Sequence, residues 1–362
     1  MLTLIHLLLI AMAPAAYRVE PLLLADSLDA YYGPTSFLAL GNGTVLFVGP
    51  DESIRSVDPD DPASVEIISC DWEEGTPEWT GNTNTLLQAS SPDGSTICFT
   101  QQVRFPDSMQ IEGTFIPGPV IVVLCGPDGS NARIASLSLD IGTSPSFDFT
   151  SDSGYLFGGV LLGCRPTPED FAAYVTRHDD SNVISGYLID TGTAERTGGP
   201  DTLVNDGYFV NPWSDLAATG GYPASMVIDV VSREMIFEDP YPGHSGVVCS
   251  WVLPDAWLAE KNGVQVLRYA DGTRIVNPGA SLRVLAAFPD GEYVFSTDDS
   301  PEDIMLGNMD WEEFESPDAV LLDGLGDYEL SYCRGLETPR GSWLVFAEGS
   351  RLYACELPVT GP

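Results

Sequence analysis

Ser91-Pro92-Asp93-Gly94 followed by Ile97-Cys98-Phe99, and Phe288-Pro289-Asp290-Gly291 followed by Tyr293-Val294-Phe295, decide how this chain folds. Pro and Asp favour entry into a type I turn and Gly supplies a positive φ, so each stretch is a tight corner feeding a short apolar strand. Such corners join antiparallel neighbours. Five looser copies occur at Gly41-Asn42-Gly43, Asp152-Ser153-Gly154, Pro212-Trp213-Ser214, Pro254-Asp255-Ala256 and Pro339-Arg340-Gly341, each followed by a comparable strand.

Successive corners lie between 35 and 60 residues apart. Four short strands with their turns occupy about 40–50 residues in the blade of a propeller. The longer gaps then carry loop insertions and the shortest is a trimmed blade. Helical periodicity is confined to Thr167–Thr176, which begins Thr-Pro-Glu-Asp, and to Pro301–Met305. The two Pro-Asp-Gly units resemble the WD40-like repeat of TolB-type propellers, where such a turn joins the first and second strands of each blade. The resemblance implies an all-β fold, a single β-propeller, and by analogy a protein-interaction role. Gly-His and Trp-Asp pairs and the double glycines of kelch repeats are not found.

This register gives seven four-stranded blades, with a six-bladed ring as the alternative if the unit near Pro254 is an insertion. The last unit supplies strands over Ser342–Ala347 and Arg351–Leu357 and then lacks its fourth. An N-terminal strand over Arg18–Leu24 is expected to pair into it and close the ring, which removes two exposed edges.

Residues 1–16 contain an apolar run from Leu2 to Met12 followed by Ala13, Ala15 and Ala16. They resemble a secretory signal peptide, although no basic residue precedes the run. Residues 17–362 are expected to form the propeller domain, delivered to the periplasm or the cell exterior as a monomer. No later segment is long and apolar enough for a membrane helix. With 53 acidic residues against 15 basic ones, the formal net charge is −38, which repels nucleic acid and anionic lipid. Apolar residues still make up 44% of the chain, enough for a core.

The cysteines are Cys70, Cys98, Cys125, Cys164, Cys249, Cys333 and Cys355, an odd number without a CxxC pair. Most sit in apolar runs, where Cys behaves as a small core residue. Cys98 and Cys125 fall on strands placed side by side, where a disulfide could form.

In an antiparallel four-stranded blade, the loops between blades and those joining the middle strands emerge on one face. The longest of them carry Trp72, Trp79, Arg104, Phe105, Arg165, Arg177, His178 and Asp179, the expected ligand pocket of aromatic platforms and Arg donors. The competing reading is a set of solvated loops whose Arg residues neutralise local acid. Beyond the signal segment only His178 and His244 remain, too few for a multi-His metal site or an independent Ser-His-Asp set. Asp58-Pro59-Asp60-Asp61 and the acidic run Asp298–Asp303 could offer oxygens to calcium, but neither has EF-hand spacing, and turn chemistry with solubility is the plainer account. No other cofactor is implied. The sequence thus points to an exported, non-catalytic binding or scaffolding propeller. The alternative is a hydrolase or lyase using Asp and Glu at the channel mouth.

Overall fold

The computed structural model describes residues 16–29, 37–71, 82–103, 110–111, 114–115, 120–139, 144–149, 152–161, 183–204, 208–211, 213–219, 225–232, 234–239, 250–261, 264–288, 291–330 and 332–358. The regular elements among them are all strands. The chain begins with β1 (Ala16–Arg18) and β2 (Leu22–Ala25). A first sheet follows, of β3 (Phe37–Ala39), β4 (Val45–Val48), β5 (Ile54–Asp58) and β6 (Asp61–Ile67). The second holds β7 (Asn82–Ser90) and β8 (Ile97–Val103); a small ribbon of β9 (Gln110–Ile111) and β10 (Thr114–Phe115) intervenes before β11 (Val120–Cys125) and β12 (Arg133–Leu139) complete it. The third is β13 (Ser144–Phe149), β14 (Tyr155–Leu161), β15 (Val183–Asp190) and β16 (Arg196–Val204). The fourth is β17 (Tyr208–Val210), β18 (Leu216–Thr219), β19 (Ser225–Asp229) and β20 (Met235–Asp239). The fifth is β21 (Ser250–Leu253), β22 (Ala256–Lys261), β23 (Val264–Tyr269) and β24 (Arg274–Val276). The sixth contains β25 (Leu282–Ala287), β26 (Glu292–Thr297), β27 (Ser300–Asn308) and β28 (Val320–Asp323), with β1 as its fifth strand. The last contains β29 (Cys333–Thr338), β30 (Gly341–Glu348) and β31 (Arg351–Glu356), with β2 as its fourth. Apart from the added strands β1 and β2, each of the seven larger sheets is an antiparallel meander, and together they form a single all-β propeller.

Neighbouring sheets bury their apolar faces against each other. Leu46, Val48 and Ile54 of the first sheet meet Phe99, Val123 and Cys125 of the second. The sixth packs on the seventh through Val294, Leu306, Leu344 and Phe346, and the fifth on the sixth through Leu258, Leu267 and Phe295. Phe37, Val45 and Phe47 of the first sheet meet Trp343, Val345 and Leu352 of the last. A fully buried side chain of this size is worth about 1.5–3 kcal/mol, so these interfaces dominate stability.

The corners read from the sequence join the first two strands of their sheets. At the second, Gly94 has φ +69° and a Cβ there would sit 3.5 Å from the Asn42 nitrogen of the neighbouring corner. Asp93 Oδ1 accepts from Ser91 Oγ (2.6 Å) and from the Ser95 N–H (3.0 Å) and hydroxyl (2.8 Å). The same device recurs where the sequence reading did not seek it. Asp51 and Ser53 use it between β4 and β5, and Asp128 and Ser130 between β11 and β12. Charge-assisted bonds of this kind favour the ionised carboxylate. The Ser53 hydroxyl is the main cause that holds Asp51 down at about 2, and serine donors likewise lower Asp93 and Asp128.

Three expectations are corrected. The N-terminal segment expected as one strand over Arg18–Leu24 is two, because Pro21 has no N–H to continue a ladder. Its first half, β1, runs parallel to β28 (Tyr17 opposite Leu322), and its second, β2, runs antiparallel to β31 (Leu22 opposite Ala354). Pro301–Met305 is not helical but lies within β27, where Ile304 and Leu306 are buried and Met305 pairs with Phe295. Cys98 and Cys125 are not disulfide-bonded; Cys98 lies opposite Leu124 and Cys125 opposite Ile97, so the two side chains leave opposite faces of the sheet. Thr167–Thr176 lies outside the described residues.

Candidate functional site

The first strand of each sheet is the innermost, and successive inner strands abut: β25 with β29, β29 with β3, β3 with β7, β7 with β13, and β13 with β17. Corners at their C-terminal ends touch one another in pairs. Thr338 touches Gly43, the Asp93 N–H donates to Ser153 Oγ (3.4 Å), and Asn211 Nδ2 donates to the Leu253 and Pro254 carbonyls (2.9 and 3.0 Å). These side chains are occupied with holding corners together. The opposite mouth, where the inner strands start, is chemically different.

Two exposed arginines stand there on neighbouring inner strands, Arg283 near the start of β25 and Arg334 near the start of β29. Arg283 lies eight residues before Gly291 and Arg334 seven before Gly341, and a bulge between Val284 and Ala286 absorbs the extra residue. Arg283 Nη2 donates to the Leu330 carbonyl (3.1 Å) and Arg334 Nη1 to the Cys333 carbonyl (3.0 Å). Neither guanidinium forms an ion pair with a described carboxylate. Each therefore keeps most of its five donors free of described partners. Tyr332, exposed at 43%, immediately precedes β29.

Both arginines are presented by a braced backbone. The connection from β24 into β25 is clamped by two buried amides: Asn277 Nδ2 donates to Gln265 Oε1 (2.9 Å) and to the Ala280 carbonyl (2.9 Å). Gln265 in turn bonds both backbone groups of Leu282, donating to its carbonyl (2.7 Å) and accepting from its N–H (2.9 Å). The connection into β29 is pinned by Tyr328, whose ring packs edge-on against Phe346 (5.2 Å) and Tyr353 (5.5 Å). Cys333 lies between the arginines and is no nucleophile. Burial pushes its thiol up to about 12, although both guanidinium charges pull the other way.

All of the pocket residues expected from the sequence, Trp72, Trp79, Arg104, Phe105, Arg165, Arg177, His178 and Asp179, lie outside the described residues, as does His244. In the acidic loops considered for calcium, the bonds formed are local or structural. Asp58 Oδ1 accepts from the Asp60 N–H (2.8 Å), Asp60 pairs with Arg340 across two sheets (3.5 Å), and the Asp298 N–H donates to the Ser281 carbonyl (3.0 Å). Among the described residues no group of three or more His, Cys, Asp or Glu side chains is arranged to hold a metal ion. Arg283 and Arg334 were not singled out in the sequence. Their only signal there is similar spacing, eight and seven residues, from the glycine of the following corner.

No protein-family model and no curated protein matches this sequence. Solved structures match it in fold. The WD40 repeats of RRP9 superpose with a TM-score of 0.56 at 12% identity, covering 96% of this chain and 99% of that one. An oligogalacturonate lyase from Vibrio parahaemolyticus gives 0.53 at 12% identity, covering 96% and 100%. The hydrazine synthase of Kuenenia stuttgartiensis gives 0.50 at 13%, covering 92% and 97%. Likeness at this identity supports the propeller and leaves activity to the site itself.

Proposed function

We propose that this chain is an exported binding propeller whose inner-strand mouth takes an anionic group, carboxylate or phosphate, from its ligand. The observation that carries the reading is the pair Arg283 and Arg334, exposed, braced, and unpaired with any described carboxylate in a chain of 53 acids and 15 bases. Adjacent guanidinium forks suit planar oxyanions, and Tyr332 adds an aromatic surface beside them. The ring is read as seven-bladed, with the five-stranded sheet counted as one blade and β2 as the closing strand. The packing of the last sheet on the first supports that count. Export rests on the apolar run Leu2–Met12 with the small residues after it. The TolB-like interaction role rests on the two Pro-Asp-Gly corners.

For the alternative, a hydrolase or lyase, a proton-donating carboxylate would carry a raised pKa. The described carboxylates with displaced titration, Asp51, Asp93, Asp128 and Asp271, all move downward, chiefly through bonds within their own turns. Calorimetric titration with uronate oligosaccharides, acidic peptides and inorganic phosphate tests the proposal. Affinity for at least one anion should fall with added salt and drop at least about tenfold in Arg283→Glu/Arg334→Glu, with melting temperature unchanged. Binding that ignores the double reversal overturns the site. Turnover of an ester, peptide or glycan that a channel carboxylate supports overturns the non-catalytic reading.

A further inference from the structure

Two thiols meet across the seam between the first and second sheets. Cys70 lies just beyond β6, and the residue after it is stitched to the β11–β12 turn: the Asp71 N–H donates to the Gly129 carbonyl (2.8 Å), and the Asp71 carbonyl accepts from the Ala132 N–H (2.9 Å). The approach is close enough that a Cβ on Gly129, where φ is +84°, would lie 2.3 Å from the Ser69 carbonyl oxygen. Cys125 ends β11 with 2% of its surface exposed, and half-buried Cys70 packs against the core cluster to which Cys125 belongs. Each thiol is the largest influence on the titration of the other.

We propose that Cys70 and Cys125 form a reversible disulfide that staples the first sheet to the second, installed by exchange with a low-molecular-weight disulfide. The roles follow from the environment. Cys125 lowers the thiol of Cys70 beside it, whereas Cys70 and burial together push Cys125 upward. Cys70 is also the more accessible of the two. Its thiolate attacks one sulfur of the oxidant, the oxidant's S–S bond breaks, and the first thiolate leaves with the electron pair. Cys125 then loses its proton and attacks the Cys70 sulfur, expelling the second thiolate. The two protein thiols give up two electrons and two protons, and the small disulfide becomes two thiols. The cross-link encloses the segment from 70 to 125, including all of β7 and β8, and so restricts the unfolded chain.

Incubation of the full chain with oxidised glutathione, alkylation, proteolysis and mass spectrometry gives the direct test. The expected product is one linked peptide pair joining Cys70 to Cys125. The melting temperature should rise by about 5 °C, a rise reversed by dithiothreitol. Cys70→Ser, at a half-buried position, should show neither the linked pair nor the rise. A pair containing Cys98, a mixed glutathione adduct at Cys70 that never resolves, or an equal rise in Cys70→Ser would overturn the proposal.

Discussion

β1 and β2 are consecutive, both short, and attached in opposite ways. β1 lies parallel on the outer edge of the sixth sheet with all three side chains exposed, Tyr17 at 42%, and its Arg18 faces only Glu20 (3.6 Å) in open solvent. β2 pairs antiparallel in the last sheet and sends Leu24, 5% exposed, into a cluster with Leu28, Phe47, Trp343 and Leu352. Between them Val19 is buried among the sixth and seventh sheets, and its N–H donates to the Asp323 carbonyl (2.9 Å). The difference separates two quantities that strand diagrams merge. Ladder hydrogen bonds on an open edge replace bonds to water and gain little, whereas side-chain burial gains the full transfer term.

The contrast can be broken most severely at Leu24. Leu24→Asp places a carboxylate in an apolar seam without a partner and should cost about 4 kcal/mol, read as a lower urea midpoint. A shift as small as that of a surface substitution would show that β2 is held by its hydrogen bonds alone.

A weaker lever acts on the platform under β2 rather than on β2 itself. The first sheet, which packs on the sheet holding β2, is cornered by Asp51, whose pKa is depressed to about 2. A depressed carboxylate contributes stability that is present above its unfolded value near 4 and is lost as pH falls through the folded value. Melting temperature should therefore decline between pH 4 and pH 2, and less so in Asp51→Asn than in the parent. Asp51 is exposed, so the decrement per corner is small.

The smallest effect is expected at β1. Arg18→Ala removes an ion pair whose side chains are 79% and 82% exposed, and should change stability by less than about 0.5 kcal/mol at any salt concentration. A loss comparable to that at Leu24 would show β1 anchored as firmly as β2 and dissolve the distinction.

Local chemistry made much of the fold readable in the sequence. Pro, Asp and Gly at Ser91–Gly94 specify a corner whatever surrounds it, and the corners recovered the strand pairs of all the larger sheets. Reading was weaker where one local device serves several purposes. Pro50-Asp51-Glu52-Ser53 and Pro127-Asp128-Gly129-Ser130 use the same Asp–Ser bonds between other strands, so the motif alone does not say which strands it joins. Pro301–Met305 looked helical because an acidic, Pro-led pentapeptide carries no record of the Phe295 ladder it enters. The candidate site was least legible. Arg283 and Arg334 are single charges in short strands, brought together only when two blades stand side by side. Cys70 and Cys125 likewise approach only across a seam, whereas long loops stand out by composition alone.

The register between Leu22 and Ala354 has a consequence for biosynthesis. During translation Leu22 is made more than three hundred residues before Ala354, so β2 stays without its partner while every blade between them is made. Assembly at the ribosome can proceed sheet by sheet, yet this union waits until β31 has emerged. A ribosome that stalls before Arg351 would leave the apolar strand β2 still unclaimed, a ready substrate for chaperones and proteases.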